Sequence, residues 1–235
     1  MLEALKAGTQ IEKVAFLAGV HGRVINDIRS LARQKGVEAQ DVGRQEFREL
    51  ASDATTQGVV ALVASRRALM SLDEILEGSR QTGQKGFVLI LDEIEDPHNL
   101  GALVRTAECA GVHGVILPKH HSAHLTETVT KASAGAVEHI AIAEVTNIVN
   151  TIEELKTHDF WIVGLDGDGD KEYTAVDYSS PVALIVGNEG KGIRRLVREH
   201  CDFLVRIPLH GKIASLNASV AGALVMYEVA RRRRP

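Results

Sequence analysis

The sequence predicts an α/β protein in which a mostly parallel sheet, with helices on both faces, follows a small α/β domain. From residue 87 onward, short apolar runs alternate with helical patterns, which is typical of a sheet whose strands are joined by helices. These runs are apolar almost throughout, as expected of parallel strands buried on both faces. A polar stretch with several glycines separates this part from an earlier segment that has strands and helices of its own.

The earlier segment, residues 1–77, is predicted to be the smaller domain. Apolar runs indicate strands at 13–18, 37–42 and 59–64, and apolar residues with helical spacing indicate a helix over 24–34. Ser71 with Glu74 three residues later has the pattern of a capping box and predicts another helix start. Residues 78–86 have no apolar period, so we predict that they form the linker.

The later segment, residues 87–235, is predicted to hold the main sheet. Its apolar runs indicate strands at 87–91, 114–117, 160–164, 182–186 and 203–207. Helical patterns lie at 100–110, 126–134, 147–156, 191–199 and 216–231. Sheets of this kind bind ligands beyond the carboxyl ends of their strands, so the loops that leave those ends are where we expect a site.

Composition restricts the class of protein. The chain is 45% hydrophobic and 25% charged, as in an ordinary globular domain, and no apolar run reaches the length of a membrane span. The residues after Met1 do not form a secretory signal. Two cysteines, Cys109 and Cys201, provide neither a disulfide framework nor metal-binding spacing. We therefore expect a cytoplasmic protein.

The net charge of −4 disfavours a large nucleic-acid surface, so any contact with RNA must be local. Arg66 with Arg67, and the run 231–234, are the basic clusters available. The run 231–234 is equally compatible with a solvated C-terminal tail.

The first loop with chemical character is 96–101, Asp-Pro-His-Asn-Leu-Gly, which leads into a helix. Arg105 and Glu108 lie on the polar face of that helix. A purely structural interpretation is available, in which Asn99 is the N-cap and Arg105 pairs with Glu108.

The second loop is 187–192, Gly-Asn-Glu-Gly-Lys-Gly, directly after a predicted strand. Three glycines allow the backbone to approach a ligand closely, and a helix that starts here would present free amides. The order Gly-x-x-Gly-x-Gly differs from the dinucleotide fingerprint and from a P-loop. We favour a ligand loop over a plain turn, and the glycine order argues against a nicotinamide oxidoreductase or an NTPase.

The third loop is 207–219, where Ser215, Asn217 and Ser219 cluster at a predicted helix start. One of them is expected to cap the helix, and three exceed what a cap requires. The helix that follows is apolar on most faces, so it is buried on several sides, either inside a monomer or in a subunit interface.

Two other patterns are weaker. Residues 166–170 begin like a calcium loop, but Lys171 occupies the sixth position and Asp177 the twelfth, so we predict an acidic surface turn. His120, His121 and His124 are not completed by a ligand pattern, so we predict no metal.

Together the three loops resemble the SpoU branch of the SPOUT RNA methyltransferases. The motifs Asp-x-x-Asn-x-Gly-x-x-x-Arg, Gly-Asn-Glu-Gly-x-Gly and Ile-Pro followed by Ser-Leu-Asn-x-Ser occur in that order, and the match covers about residues 87–230. The preceding domain makes the chain similar to the RlmB type, which methylates a guanosine ribose in 23S ribosomal RNA. The usual Gly-x-His segment before the first helix is missing, so the RNA-binding domain is expected to be shortened.

The resemblance implies a C-terminal trefoil knot, S-adenosyl-L-methionine as methyl donor with S-adenosyl-L-homocysteine as product, and a homodimer whose active site combines both subunits. It implies that Arg105 activates the ribose 2′-hydroxyl, either with help from an RNA phosphate or by stabilising the developing oxyanion. It also implies that Asn99, Glu189 and Asn217 orient Arg105 or the ribose. The cofactor would contact Gly187, Ile207 and Leu216 first, and then Gly164, Leu165, Asn188, Gly190, Pro208, Leu209 and Ser215.

Two alternatives stay open at this point. The substrate could be transfer RNA, although family members that act there often lack a separate amino-terminal domain. The protein could also bind RNA without catalysis, but a protein of that kind would not need the glycine-rich loop.

Overall fold

The computed structural model describes residue 5 and residues 11–51, 56–63 and 69–233. The chain divides into two compact units, residues 1–68 and residues 69–235. None of the described helices combines the length and the apolar character that crossing a membrane requires.

The first unit contains a three-stranded sheet. Its strands are β1 (Ile11–Leu17), β2 (Glu38–Val42) and β3 (Val59–Val63), in the order β2-β1-β3, with β2 parallel and β3 antiparallel to β1. Helix α1 (Arg23–Gln34) was predicted, whereas α2 (Arg44–Ala51) was not. The first three residues of α2 are polar, and its apolar side chains are confined to Phe47, Leu50 and Ala51. The basic pair Arg66–Arg67 lies outside the described residues.

The second unit contains a seven-stranded sheet in which every pairing is parallel. The strand order is β6-β5-β4-β9-β7-β10-β8. The strands are β4 (Phe87–Asp92), β5 (Gly114–Pro118), β6 (Ala141–Val145), β7 (Trp161–Leu165), β8 (Lys171–Glu172), β9 (Val182–Gly187) and β10 (Phe203–Arg206). All five predicted strands are confirmed, and β6 and β8 are additional.

Helices cover both faces of this sheet, as predicted. Leu89 and Leu91 face one core, which α4 and α8 complete, and Val88 and Ile90 face the other, which α3 and α6 complete. The helices are α3 (Leu72–Gln81), α4 (Pro97–Cys109), α5 (Glu127–Ala132), α6 (Ile148–Thr157), α7 (Arg195–Glu199) and α8 (Ala218–Arg233). The trefoil knot implied by the resemblance stays a prediction.

The linker predicted at 78–86 is partly wrong. The capping box forms, because the Ser71 hydroxyl accepts a hydrogen bond from the Glu74 amide at 3.2 Å and the Glu74 carboxylate accepts one from the Ser71 amide at 2.7 Å. The helix then continues to Gln81 and buries Leu72, Ile75 and Leu76 against the sheet. Three apolar side chains suffice to dock it, so the division between units lies at 68/69 and not at 77/78.

Arg231, Arg232 and Arg233 at the end of α8 bond to the protein itself, so this part of the run is anchored in a helix and is not a free tail. Contact of these arginines with RNA stays a prediction. Arg231 and Arg232 both bond to the buried carboxylate of Glu228. Arg233 donates to the carbonyls of Lys85 (2.8 Å) and Ser180 (2.6 Å) at the amino edge of the sheet. Burial lowers the pKa of Arg233 to about 10. Residue 234 lies outside the described residues.

We expect Arg233→Ala to lower the free energy of unfolding by about 2–3 kcal/mol, because it leaves several carbonyls without their charged donor. The measurement is urea unfolding followed by circular dichroism. Arg195→Ala is the control, because its side chain is 79% exposed and exposed substitutions change stability by only about 0.5 kcal/mol. Equal stability of the two variants would contradict the assigned role.

Candidate active site

A cleft of about 630 Å³ opens at the carboxyl edge of the main sheet. The loop after β9, the end of β7 at Leu165, and the segment from β10 into α8 all contribute to its wall. The second and third loops singled out in the sequence therefore meet in one place. Its position is where parallel sheets generally bind ligands.

The loop after β9 is a closed turn and not the start of a helix, which corrects the prediction of a helix from residue 191. Asn188 and Gly192 exchange backbone hydrogen bonds of 3.0 and 2.8 Å. The Asn188 side-chain oxygen accepts from the amides of Gly190 (2.9 Å) and Lys191 (3.2 Å). These amides are therefore already bonded, and α7 begins only at Arg195. Gly192 has a φ of 69°, a conformation that favours glycine.

Gly187 is required by a close approach within this turn. A Cβ at position 187 would lie well inside 3.0 Å of the Gly192 carbonyl and the Ile193 amide nitrogen. From sequence, the glycines of this loop were expected to let the backbone approach a ligand closely. The structure shows instead that a side chain at position 187 would collide with the backbone of the returning loop, which forms part of the cleft wall.

Three polar side chains from the three loops form one network at the cleft. Asn99 donates to the Glu189 carboxylate at 3.0 Å. Asn217 donates to the Asn99 side-chain oxygen at 2.9 Å and to Glu189 at 3.3 Å. Two amide groups thus hold Glu189 in a fixed orientation. Among the described residues, no cation pairs with the Glu189 carboxylate.

The structure shows which polar side chains cap α4 and α8. Asp96, and not Asn99, caps α4, because its carboxylate accepts from the His98 amide at 3.0 Å. Asn99 is inside the helix and buried, so the interpretation of it as a cap is wrong. Asn217 caps α8 through its side-chain oxygen, which accepts from the amides of Ser219 (3.0 Å) and Val220 (3.3 Å). Its amide group remains free to join the network.

Arg105 lies apart from this network. It is exposed on α4, and its guanidinium makes no hydrogen bond or ion pair with any residue that the structure describes, so the predicted pair with Glu108 does not form. Asn99, Glu189 and Asn217 therefore do not orient the arginine of their own chain. An open apolar groove between α4 and α8 runs past it, lined by Ala102, Thr106, Ser219, Val220, Ala223, Leu224 and Tyr227.

Of the ten residues predicted to contact the cofactor, the structure places seven along the cleft: Gly187, Ile207, Leu216, Leu165, Asn188, Leu209 and Ser215. Gly164 faces Cys201 and Ile193 in the packed interior. Gly190 is at the exposed tip of the turn, and Pro208 is not in the wall. Their contact with a cofactor stays a prediction.

Two carboxylates at or near the cleft were not identified from sequence as site candidates. Asp166 lines the cleft, and its carboxylate accepts from the Asp168 amide at 2.8 Å and lies 3.0 Å from Arg198. Asp166 follows β7 directly. It could have been identified from the rule that parallel sheets bind ligands beyond the carboxyl ends of their strands. Asp92 ends β4 with its side chain fully buried, and it binds Arg194 through two bonds of 2.7 and 2.8 Å. Within the described residues, no cluster of His, Cys, Asp and Glu could hold a metal ion.

Comparison with known families agrees with this geometry. The profile of the SpoU rRNA Methylase family matches residues 86–227. The chain belongs to this family. A second profile, described as RNA 2′-O ribose methyltransferase substrate binding, matches residues 1–69, which agrees with the division between the two units. The SpoU methyltransferase is therefore preceded by a substrate-binding domain.

Curated relatives resemble this SpoU methyltransferase over nearly its whole length. YacO of Bacillus subtilis (strain 168), assigned to the TrmH family of tRNA/rRNA methyltransferases, is 42% identical over 235 residues, which is 100% of this chain and 94% of that protein. A TrmH family relative from Staphylococcus saprophyticus is 43% identical over 231 residues, or 98% of this chain and 92% of that protein.

Solved structures show the same fold. The AdoMet-bound rRNA methyltransferase from Sinorhizobium meliloti superposes with a TM-score of 0.70 at 25% identity, covering 100% of this chain and 85% of that one. AviRb from Streptomyces viridochromogenes, in complex with AdoMet, gives 0.68 at 24% identity, with 98% and 86% covered. The A. aeolicus TrmH/SpoU tRNA modifying enzyme gives 0.57 at 30% identity, but covers only 70% of this chain and 85% of that one.

Proposed function

We propose that this enzyme transfers the methyl group of S-adenosyl-L-methionine to the ribose 2′-hydroxyl of a guanosine in 23S ribosomal RNA. The observation that carries the proposal is the network of Asn99, Glu189 and Asn217 at the rim of the cleft. It joins the three loops whose motifs match the family. The enzyme would act in the cytoplasm, together with its RNA substrate.

The cleft fits the proposed cofactor. Leu165, Ile207 and Leu216 supply apolar wall. Most amides of the turn 187–192 are bonded within the turn, so it offers mainly carbonyl oxygens beside this wall. This combination is suited to an adenine ring and its amino group. When bound, S-adenosyl-L-methionine supplies a methyl group that its sulfonium makes strongly electrophilic. The residues of the chain then need to align the hydroxyl and stabilise its loss of a proton.

Glu189 is suited to orient the ribose or the guanine. Its two oxygens accept hydrogen bonds from Asn99 and Asn217 and still have lone pairs for substrate O–H or N–H donors. Both of its partners are neutral amide groups, so the network itself brings no cation to the carboxylate. Arg105 would stabilise the oxyanion that develops at O2′ as the proton leaves.

We also propose a homodimer in which Arg105 of one chain completes the cleft of the other. Within one chain, Arg105 has no acidic partner among the described residues and Glu189 has no basic one. Beside Arg105, Val220, Leu224 and Tyr227 of α8 are 49%, 40% and 47% exposed. Apolar side chains on successive turns favour burial against another protein surface. A second copy packed there would bring the arginine of one chain to the other's cleft.

We expect Leu224→Arg to convert the dimer to a monomer, because the charge would be buried without a partner in the interface. Sedimentation velocity measures the change directly. Leu196→Arg is the matched control, since Leu196 is 55% exposed on α7, away from this face, and should leave the dimer intact. A dimer that persists in Leu224→Arg would place the interface elsewhere.

The substrate-binding domain favours ribosomal RNA over transfer RNA. The Sinorhizobium meliloti rRNA methyltransferase covers 100% of this chain, whereas the A. aeolicus tRNA modifying enzyme covers 70%. The test supplies purified enzyme with methyl-tritiated S-adenosyl-L-methionine and either 23S ribosomal RNA or transfer RNA. We expect label in 2′-O-methylguanosine of the ribosomal RNA. Label in transfer RNA alone would favour the alternative substrate, and no label in either would favour a non-catalytic RNA-binding protein.

A further inference from the structure

A second open groove lies at the same carboxyl edge of the main sheet, on the far side of β4 from the cofactor cleft. Its free volume is about 1380 Å³. One wall follows the ends of β5 and β6 and the other is α7. We name it the histidine groove, after its main lining residues His120, His121, Asn147, Arg195, Leu196 and His200.

The chemistry of the histidine groove is suited to an anion. It is lined by two arginines and three histidines, and no described residue in its lining carries a carboxylate. The carboxylates that pair with these cations lie outside the lining. Asp92 and Glu93 pair with Arg194, Glu199 pairs with Arg195 at 2.7 Å, and Glu153 lies 3.9 Å from His200.

Only one of the two arginines is available to a ligand. Arg194 is held by the fully buried carboxylate of Asp92, to which it donates from both its backbone amide and its guanidinium. Among the described residues, Arg195 pairs only with Glu199, one turn further along α7, and both side chains are exposed. Exposed pairs of this kind contribute only about 0–1 kcal/mol, so a phosphate can replace Glu199.

The histidine groove is tied to the active site by two short connections. Asp92, which anchors Arg194, is paired in the sheet with Gly187 at the start of the cofactor turn. The loop that carries His120 and His121 is bonded to Ile94, whose carbonyl accepts from the Ala123 amide at 2.8 Å. Ile94 belongs to the segment that leads into α4 and Asn99. A polymer held in the groove would therefore lie beside the reacting nucleotide.

We propose that the histidine groove binds the segment of substrate RNA next to the methylated nucleotide. Arg195 contacts a phosphate, and the imidazoles of His120 and His121, with the exposed Leu196, receive an unstacked base. Histidine rings and apolar side chains commonly stack on bases of single-stranded RNA. This inference rests on the proposed RNA methyltransferase function and adds the path of the RNA to it.

The test compares Arg195→Ala with Arg80→Ala in binding to transcribed 23S ribosomal RNA across a series of KCl concentrations. Arg80 is the matched control, because it is also a helical arginine paired with a nearby exposed carboxylate, that of Glu77. For Arg195→Ala we expect RNA affinity to fall by about tenfold and the salt slope to fall by about one. His121→Ala should weaken binding without changing the slope. Affinity for S-adenosyl-L-methionine should stay as in the unmodified enzyme.

Equal effects of Arg195→Ala and Arg80→Ala would overturn the proposal, because only general charge would then matter. Unchanged RNA binding in both Arg195→Ala and His121→Ala would also overturn the proposal, because the histidine groove would then not contact the RNA. These results differ from failure of the proposed function, in which the unmodified enzyme itself would methylate no RNA.

Discussion

Gly187→Ala should abolish measurable binding of S-adenosyl-L-methionine, and Gly187→Val should do so more severely. Any Cβ at this position would lie inside 3.0 Å of the Gly192 and Ile193 backbone, and backbone cannot move aside as a flexible side-chain end can. The turn would shift and remove part of the cleft wall, including the position of Asn188. Isothermal titration calorimetry with S-adenosyl-L-methionine measures the loss.

Gly190→Ala is the control for this substitution. Gly190 is in the same turn, but a Cβ there would meet only the Asn188 side-chain oxygen at an ordinary 3.7 Å. We expect its affinity for the cofactor to stay within about threefold of the original, a difference worth about 0.7 kcal/mol. Thermal unfolding of both variants separates a displaced turn from a protein that fails to fold. An unchanged affinity in a folded Gly187→Ala would contradict the assigned position of the cofactor.

Arg105→Ala should reduce the rate of methyl transfer by at least about 10²–10³-fold, the usual effect of removing one donor that stabilises a developing oxyanion. Binding of S-adenosyl-L-methionine should be unchanged. Arg105 does not line the cleft of its own chain, and at the partner's cleft its proposed contact is with the ribose O2′ and not with the cofactor. Single-turnover transfer to ribosomal RNA measures the rate, and calorimetry measures the binding. Arg105→Lys keeps the charge but loses the planar fork of donors, so it should recover activity only in part.

The control for Arg105→Ala is Glu108→Ala, a substitution of another exposed residue one turn along the same helix. It should leave the transfer rate within about twofold, since the two side chains do not pair and exposed substitutions have small effects. A loss of cofactor binding in Arg105→Ala would show that its role had been assigned wrongly. So would an unchanged transfer rate in that variant.

Much of the main sheet could be predicted from sequence because its strands are buried on both faces. The run Phe87–Asp92 is completely buried, so its apolar character is continuous and easy to detect. Strand β6 escaped prediction because Ala141–Val145 is short and contains Glu144. The boundary between the two units was placed wrongly because residues 78–81 are mostly polar, which is typical of a linker. They are the end of α3, which Leu72, Ile75 and Leu76 dock against the sheet.

The contacts among Asn99, Glu189 and Asn217 were accessible only through the family motifs. Asn99 and Asn217 are 118 positions apart, and Asn99 and Glu189 are 90 apart, so no local pattern predicts their contact. Sequence alone also assigned Asn99 to a cap, because a short polar side chain near a helix start commonly has that role. The separation of Arg105 from the network depends on which face of α4 packs inward. Only the three-dimensional arrangement reveals it.

Mixed dimers test whether one chain supplies the cleft and its partner supplies Arg105. Differently tagged Arg105→Ala and Gly187→Ala chains would be co-expressed, and dimers carrying both tags isolated by two affinity steps. Each mixed dimer should hold one complete site, because the symmetry of the pair places the intact arginine at the intact cleft. Transfer to ribosomal RNA should therefore return to about half of the unmodified rate. Mixed dimers as inactive as either parent variant would show that each site is built from a single chain.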